Sequence, residues 1–301
     1  MRNEIRKDLV DLNVSDDALS KLSRLLDRTE TGTTDVLLSP IGNNVDPNVI
    51  LQGWDDIFNS NREKLNNVLL ELEENNRSKY GPRSIAVPWL ERRDTVLNSF
   101  STDYGKEVES KPVFNGRLRP IFLKNAAKYI KLQTNAGLPT MLSKGSALDN
   151  IFIHLESELR RNYPSVPFTR TQENNKTRLV WGYPLATILD EMRYYRPILE
   201  YQRNLPWRAA LNKAEDIDSA ITRLINHARS SGKSLVSIDF SNFDNSVKRK
   251  LQKYAFEVYF PSLFQSKYHP ELALHGERFN TIGLVTPDKI LRGSHGIPSG
   301  S

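Results

Sequence analysis

Apolar side chains in the first thirty residues recur three and four positions apart, at Leu9, Leu12, Leu19, Leu22, Leu25 and Leu26. That spacing lines one side of a 3.6-residue period, so a short polar helix is expected over residues 1–30, with a break near Asn13–Asp17. Residues 31–53, rich in Thr, Gly, Asn and Pro, predict an extended connector. Trp54, Ile57, Phe58, Leu65, Val68, Leu69 and Leu72 return to helical spacing and predict a helix over 54–79, ended by Asn75–Pro82. A loop-rich stretch is expected from there through Pro88 and Pro112 to Pro120. Two helices follow, over Ile121–Thr134 and Ala147–Asn162, the second closed by Pro164 and Pro167. Further on, Ser234-Leu-Val-Ser-Ile-Asp239-Phe240 predicts a buried strand ending in a carboxylate. Ser241–Asn245 predicts a turn, and Val247, Leu251, Tyr254, Ala255 and Val258 one face of a helix. Neither an internal repeat nor a low-complexity tract interrupts the pattern, which reads as one compact body.

Composition narrows the classes. A run of roughly 18 apolar residues occurs nowhere, so no membrane-spanning helix is expected. The mixed-charge start Met-Arg-Asn-Glu-Ile-Arg-Lys-Asp lacks the apolar core of a signal peptide. With no cysteine there are no disulfides, thiolate zinc sites or cysteine nucleophiles, and a reducing, cytosolic setting is expected. The charge is uneven. Residues 1–110 carry 14 basic and 20 acidic side chains, residues 111–210 carry 16 and 7, and residues 211–301 carry 12 and 9. The positive excess therefore comes from the middle and end of the chain, as for a polyanion partner such as nucleic acid, or for a solvated basic surface.

Four local patterns carry chemistry, each with a blander alternative. Asp239 at a strand end and Asp244 at a helix start form D-x4-D; one can bind a hard divalent cation, helped by the Phe240 carbonyl, and the other can face a sugar hydroxyl. Otherwise they are a turn residue and a helix cap. Gly296-Ile-Pro-Ser299-Gly300-Ser301 is a loop whose N–H and hydroxyl groups can meet a ligand closely, or an ordinary turn. Lys176 and Arg178 alternate on an extended segment after Arg170, so both can face one triphosphate; the alternative is a strand edge protected by charge. Thr134-Asn-Ala-Gly137-Leu-Pro139, followed by Lys144-Gly145, opens a loop or simply stops a helix. Trp181, Tyr183, Tyr194 and Tyr195 are expected mostly in the core. His154, His227, His269, His275 and His295 show no metal-binding spacing and are expected to be structural or on the surface. A Walker A loop and a Rossmann fingerprint are both missing.

Taken in order, the four patterns resemble motifs G, F, A and the opening of B of viral RNA-directed RNA polymerases. Thr134-Asn-Ala-Gly-Leu-Pro139 resembles the T-x-x-G-x-P loop of motif G, and Lys176-Thr-Arg178 the K-x-R core of motif F. Asp239-Phe-Ser-Asn-Phe-Asp244 resembles motif A, and Gly296-Ile-Pro-Ser-Gly-Ser301 the start of motif B. The resemblance covers about residues 120–301, and within the superfamily the picobirnavirus and then the partitivirus polymerases are most similar.

The resemblance implies an α+β, right-hand polymerase with fingers and an incomplete palm in these residues and the thumb missing. Residues 1–110 are expected to form a largely helical N-terminal extension and 111–232 the fingers with motifs G and F. Motif A of the palm then falls in 233–260, a return segment of the fingers in 261–292, and the start of motif B in 293–301. By the same resemblance Asp239, with the Phe240 carbonyl, binds catalytic Mg²⁺ (or Mn²⁺), and Asp244 reads the ribose 2′-hydroxyl. Lys176 and Arg178, with Arg170, neutralise the NTP triphosphate; Ser299 and Gly300 position template and nascent pair; Thr134, Gly137 and Pro139 guide template. Implied partners are template and product RNA, NTPs and the viral capsid protein, and the implied location is the host cytoplasm or the virion. One departure stands out: the family's Gly-Asp-Asp of motif C does not occur in the 301 residues. A sequence that stops inside motif B is the expectation, with a divided polymerase second, and the isolated residues are expected to bind RNA weakly and synthesise nothing. A reverse transcriptase and a non-catalytic RNA-binding polymerase remnant are the competing classes.

Overall fold

Between the first two helices the chain turns at Asn13, whose φ is 62°, and restarts at Ser15, whose side chain accepts a hydrogen bond from the Ala18 N–H. This splits the expected N-terminal helix into α1 (Asn3–Asp11) and α2 (Asp16–Thr31) where a break was anticipated. The computed structural model describes residues 1–33, 46–78, 86–100, 104–113, 116–172 and 176–298. The apolar stripe of both helices, Ile5, Leu9, Leu19, Leu22 and Leu26, packs on Tyr163, Val166 and Val285 in one core cluster. The N-terminal helices thus bury their leucines against strands from the middle and end of the chain.

The expected connector over 31–53 gives way at its end to helix. Asp46 accepts from the Asn48 N–H and Pro47 occupies the first turn of α3 (Pro47–Asn61), a start that proline's fixed φ favours. The single helix anticipated over 54–79 is two, α3 and α4 (Asn67–Ser78), parted by a 3-10 turn at Arg62–Lys64. Arg77 clamps Asp55 with hydrogen bonds of 2.7 and 2.9 Å, tying the pair together. Another correction is α5 (Trp89–Leu97), which lies where a loop-rich stretch was expected. Pro88 stands immediately before it as the N-cap residue, and Trp89, 1% exposed, donates from Nε1 to Asp288 at 2.7 Å.

The helix expected over Ile121–Thr134 shrinks to α6 (Leu123–Ala126) and a 3-10 turn at Ala127–Tyr129. The chain extends at Ile130 because the following loop is tied back on itself: Lys144 N–H donates to Thr134 O at 2.8 Å and Gly145 N–H to Leu132 O at 2.9 Å. Helix α7 (Lys144–Arg161) follows, capped by Ser143 and closed by Asn162 in the left-handed region. Strands β1 (Val166–Thr171) and β2 (Thr177–Gly182) form an antiparallel hairpin with Val166 opposite Gly182 and Arg170 opposite Arg178. Helix α8 (Leu185–Arg203) packs on α6 and α7, burying Leu185, Ala186 and Leu189 with Ala147 and Ile151.

Beyond α9 (Ala214–Ser231), closed by Gly232 at φ 64°, the structure departs most from the sequence reading. Residues 233–240 form no strand and are exposed, Val236 and Ile238 by 78% and 76%. A strand needs a ladder partner for its N–H and C=O groups, and among the described residues no strand pairs with this segment. The helical run that follows is also interrupted. After α10 (Phe243–Ser246), Val247 is extended; α11 (Arg249–Tyr254) then passes through a π-helical turn at Ala255–Tyr259 into α12 (Phe260–Leu263). Leu251 and Val258 lie exposed while Gln252 is buried. Gln252 donates from its amide to the carbonyls of Val247 and His295, both at 2.8 Å.

Helix α13 (His269–Thr281) is fastened to α8 by a buried polar cluster. Asp190 lies 2.8 Å from His275 Nε2, 3.3 Å from Arg278 and 3.1 Å from Arg193. His275 is therefore structural, as expected. Strands β3 (Leu284–Val285) and β4 (Ile290–Leu291) make a second antiparallel pair, and Ser165 bridges Leu284 beside β1. Helices with short, local antiparallel strands agree with the α+β expectation.

Candidate active site

The hairpin, the turn after residue 239 and the residues leading into 298 meet around a cleft of about 670 Å³. Lys176, Arg178, Leu179 and Trp181 line it from the hairpin, Asp239 through Asn245 from the opposite wall, and Gly296 and Ile297 from the end of the described chain. Backbone hydrogen bonds hold these walls together. Gly296 N–H donates to Ser99 O at 2.9 Å and Ile297 N–H to Asp244 O at 2.8 Å. Only a residue without a side chain fits at 296, since a Cβ there would lie 2.5 Å from Asp244 O and 3.0 Å from Asn245 Cα.

Within that frame Asp239 and Phe240 are exposed, and Asp244 is half-buried in the first turn of α10. Asp244 does not act as a cap: Asn242 is the N-cap residue, in the left-handed region, and its side chain makes no capping hydrogen bond. Lys176 and Arg178 are exposed on the rim. Arg170 faces Arg178 across the hairpin yet does not line the cleft, so two guanidinium groups share one face with no carboxylate between them in the strand register. The arrangement sets cations on one wall and carboxylates on the other, which suits a polyphosphate bound together with a divalent cation.

Thr134, Gly137 and Pro139 lie elsewhere, outside the residues that line the cleft, and Gly137 packs beside Gly182 and Tyr183 at the open end of the hairpin. Gly137 has φ 67°, accepts no side chain because a Cβ would lie 2.6 Å from Tyr183 O, and donates its N–H to Asn135 Oδ1 at 2.7 Å. Ala136 O accepts from Leu185 N–H at 2.9 Å, which fixes the loop to the start of α8. Ser299 and Gly300 lie outside the described residues.

The sequence reading missed the cleft's floor. Arg92, Thr95, Val96 and Ser99 of the α5 segment line it at helical spacing, and Trp181 closes it in contact with Phe100 and His295. The spacing 92, 95, 96, 99 was visible but masked by the neighbouring prolines. Burial in this aromatic box pushes the His295 imidazole below its ordinary range, so it serves as packing. Trp181, Tyr183 and Tyr194 are buried, as expected of most of these aromatics, whereas Tyr195 is half exposed.

The chain is similar to known proteins in sequence and in fold. The family described as viral RNA-dependent RNA polymerase matches residues 92–301. A potential RNA-dependent RNA polymerase of human picobirnavirus is 26% identical over 219 residues, 63% of this chain and 40% of that protein. An RNA-directed RNA polymerase of Cryptosporidium parvum virus 1 is 30% identical over 136 residues, 44% of this chain and 25% of that protein. The chain thus spans well under half the length of the curated relatives it matches. The crystal structure of the RNA-dependent RNA polymerase of a human picobirnavirus superposes with a TM-score of 0.68 at 20% identity, over 96% of this chain and 62% of that one. That likeness gives the chain the polymerase fold, and the match over residues 92–301 makes it a member of the viral RNA-dependent RNA polymerase family.

Proposed function

We propose that these residues form the nucleotide-binding side of a longer polymerase that copies RNA from NTPs. The observation that carries this reading is the gathering of Lys176, Arg178, Asp239, Asp244 and Gly296, scattered over 120 positions of sequence, around one cleft. Residues 111–232 act as fingers, 233–260 as the part of the palm with motif A, 261–292 as a return segment of the fingers, and 293–301 as the start of motif B of the palm. Lys176 and Arg178 hold the triphosphate by charge-assisted hydrogen bonds, with Arg170 adding to the field from beside them. Asp244, held by its main-chain bond to Ile297, meets the ribose 2′-hydroxyl. The loop at Thr134, Gly137 and Pro139 guides template outside the cleft, and Ser299 and Gly300 position the nascent pair. Mg²⁺ takes one or two carboxylates and completes its shell with water and phosphates, so Asp239 and the Phe240 carbonyl on the cleft wall suit it; Mn²⁺ shares that donor chemistry. Such an ion supplies Lewis-acid polarisation of the phosphates.

The test is primer- or template-dependent incorporation by the polymerase completed to the length of its relatives. Asp239→Ala should abolish synthesis, and Asp244→Ala should erode the preference for NTP over dNTP while synthesis persists. Unchanged preference in Asp244→Ala rules out its role in ribose selection. A completed chain that binds RNA but never synthesises points instead to an RNA-binding remnant.

A further inference from the structure

Arg92 is 7% exposed on the floor of the cleft. Its Nη2 donates to Thr169 Oγ1 at 3.1 Å and to Thr29 O at 3.4 Å, while Nε and Nη1 are buried with no hydrogen-bond partner. Burial pulls the guanidinium below its ordinary range, and among the described residues no carboxylate opposes that effect. A buried cation with no counter-charge is costly, and half-satisfied donors add to the cost. Nothing in the packing of α5 needs a charge there: its other buried residues, Trp89 and Val96, are apolar.

We infer that Arg92 binds the terminal phosphates of the nucleoside triphosphate, as a third cation supplied by α5 from outside the hairpin. The inference rests on the triphosphate reading of the cleft and extends it to a residue no motif marks. A planar guanidinium matches phosphate oxygens two at a time, and the cleft volume is in the range of nucleotide-sized ligands. In the structure the unpartnered N–H groups are covered. Rotating the side chain towards the cleft gives up two ordinary contacts, to Thr169 and Thr29, and gains charge-assisted bonds to an anion. Ser99, two turns further along the same face, already ties this segment to Gly296, so Arg92 couples phosphate binding to the wall that Gly296 and Asp244 build.

The experiment titrates inorganic triphosphate, and separately a short RNA, into the 301-residue chain and its Arg92→Met and Arg92→Lys variants, with melting midpoints for each. Arg92→Met should bind triphosphate about tenfold more weakly or worse, Arg92→Lys should fall between, and RNA affinity should stay within about twofold. Without ligand the Met variant should melt no lower than the original, because an unpaired buried charge has been removed. Equal triphosphate affinity in the original and Met chains overturns the role of Arg92 alone. A loss confined to RNA overturns it in favour of a backbone-phosphate contact. No triphosphate binding by the original chain removes the reading of the cleft and this inference with it. Should the Met variant fail to fold, unchanged affinity in Arg92→Lys overturns the inference, since lysine keeps the charge and loses the fork.

Discussion

Glu191 and Asp190 are adjacent in sequence and opposite in ionisation. Burial pushes the Asp190 carboxyl up, but the hydrogen bond and charge of His275, with Arg278 and Arg193, outweigh it and hold the group at about 2. Glu191 has no such company: its Oε1 is buried without a hydrogen-bond partner, and burial drives it up to about 8, with Arg278 pulling down and Asp190 pushing up. A raised carboxyl favours folding while protonated. Its contribution is complete below about pH 4.5 and is lost as pH climbs through about 8, where a bare carboxylate must be buried. Glu191→Gln keeps the shape and cannot ionise. Urea unfolding should find this variant more stable than the original by on the order of 1–3 kcal/mol at pH 8.5 and nearly equal at pH 5. A difference that does not change with pH would rule out this account.

The hairpin β1–β2 places Arg170 directly opposite Arg178, an arrangement that weakens a strand pair and persists where an anion gains from it. Arg178→Glu converts the repulsion into an attraction. The hairpin should become firmer by about 0.2–1 kcal/mol, read as slower amide exchange in β1 and β2, while triphosphate binding falls tenfold or more. Firmer strands with undiminished binding would detach Arg178 from the ligand. The extended segment of Lys176 and Arg178 was legible in the sequence, whereas its pairing with Val166–Thr171 was not. The G-x-P loop was legible, since the left-handed Gly137 is a local demand. What escaped depends on distant partners. The run Leu235–Phe240 has the composition of a strand, yet its groups find no ladder among the described residues. The face Val247 to Val258 failed because Val247 is extended and Gln252, bonded to the Val247 and His295 carbonyls, takes the buried place beside Leu251. Helix α5 escaped because prolines at 88 and 112 read as loop, although one of them is placed to start the helix.

Over the whole molecule the charge divides as the sequence suggested, and the acidic share includes α3 and α4, where none of the described side chains is buried. The basic share, with a net of +9 over residues 111–210, includes Lys176 and Arg178 on the rim of the cleft. Single-stranded RNA binding should weaken about a hundredfold between 50 and 200 mM salt, the effect of neutralising roughly five phosphates. A flat salt response would show that this charge is merely solvated. The bond between Gly296 N–H and Ser99 O has a further consequence. A ribosome makes the chain in one direction at roughly 5–20 residues per second, so Ser99 waits roughly 10–40 s for its partner to be synthesised. Until then the floor of the cleft exists without its far wall. Nascent chains arrested before residue 296 should therefore carry the Ser99 carbonyl without that partner, and any premature ligand would meet a half-built pocket.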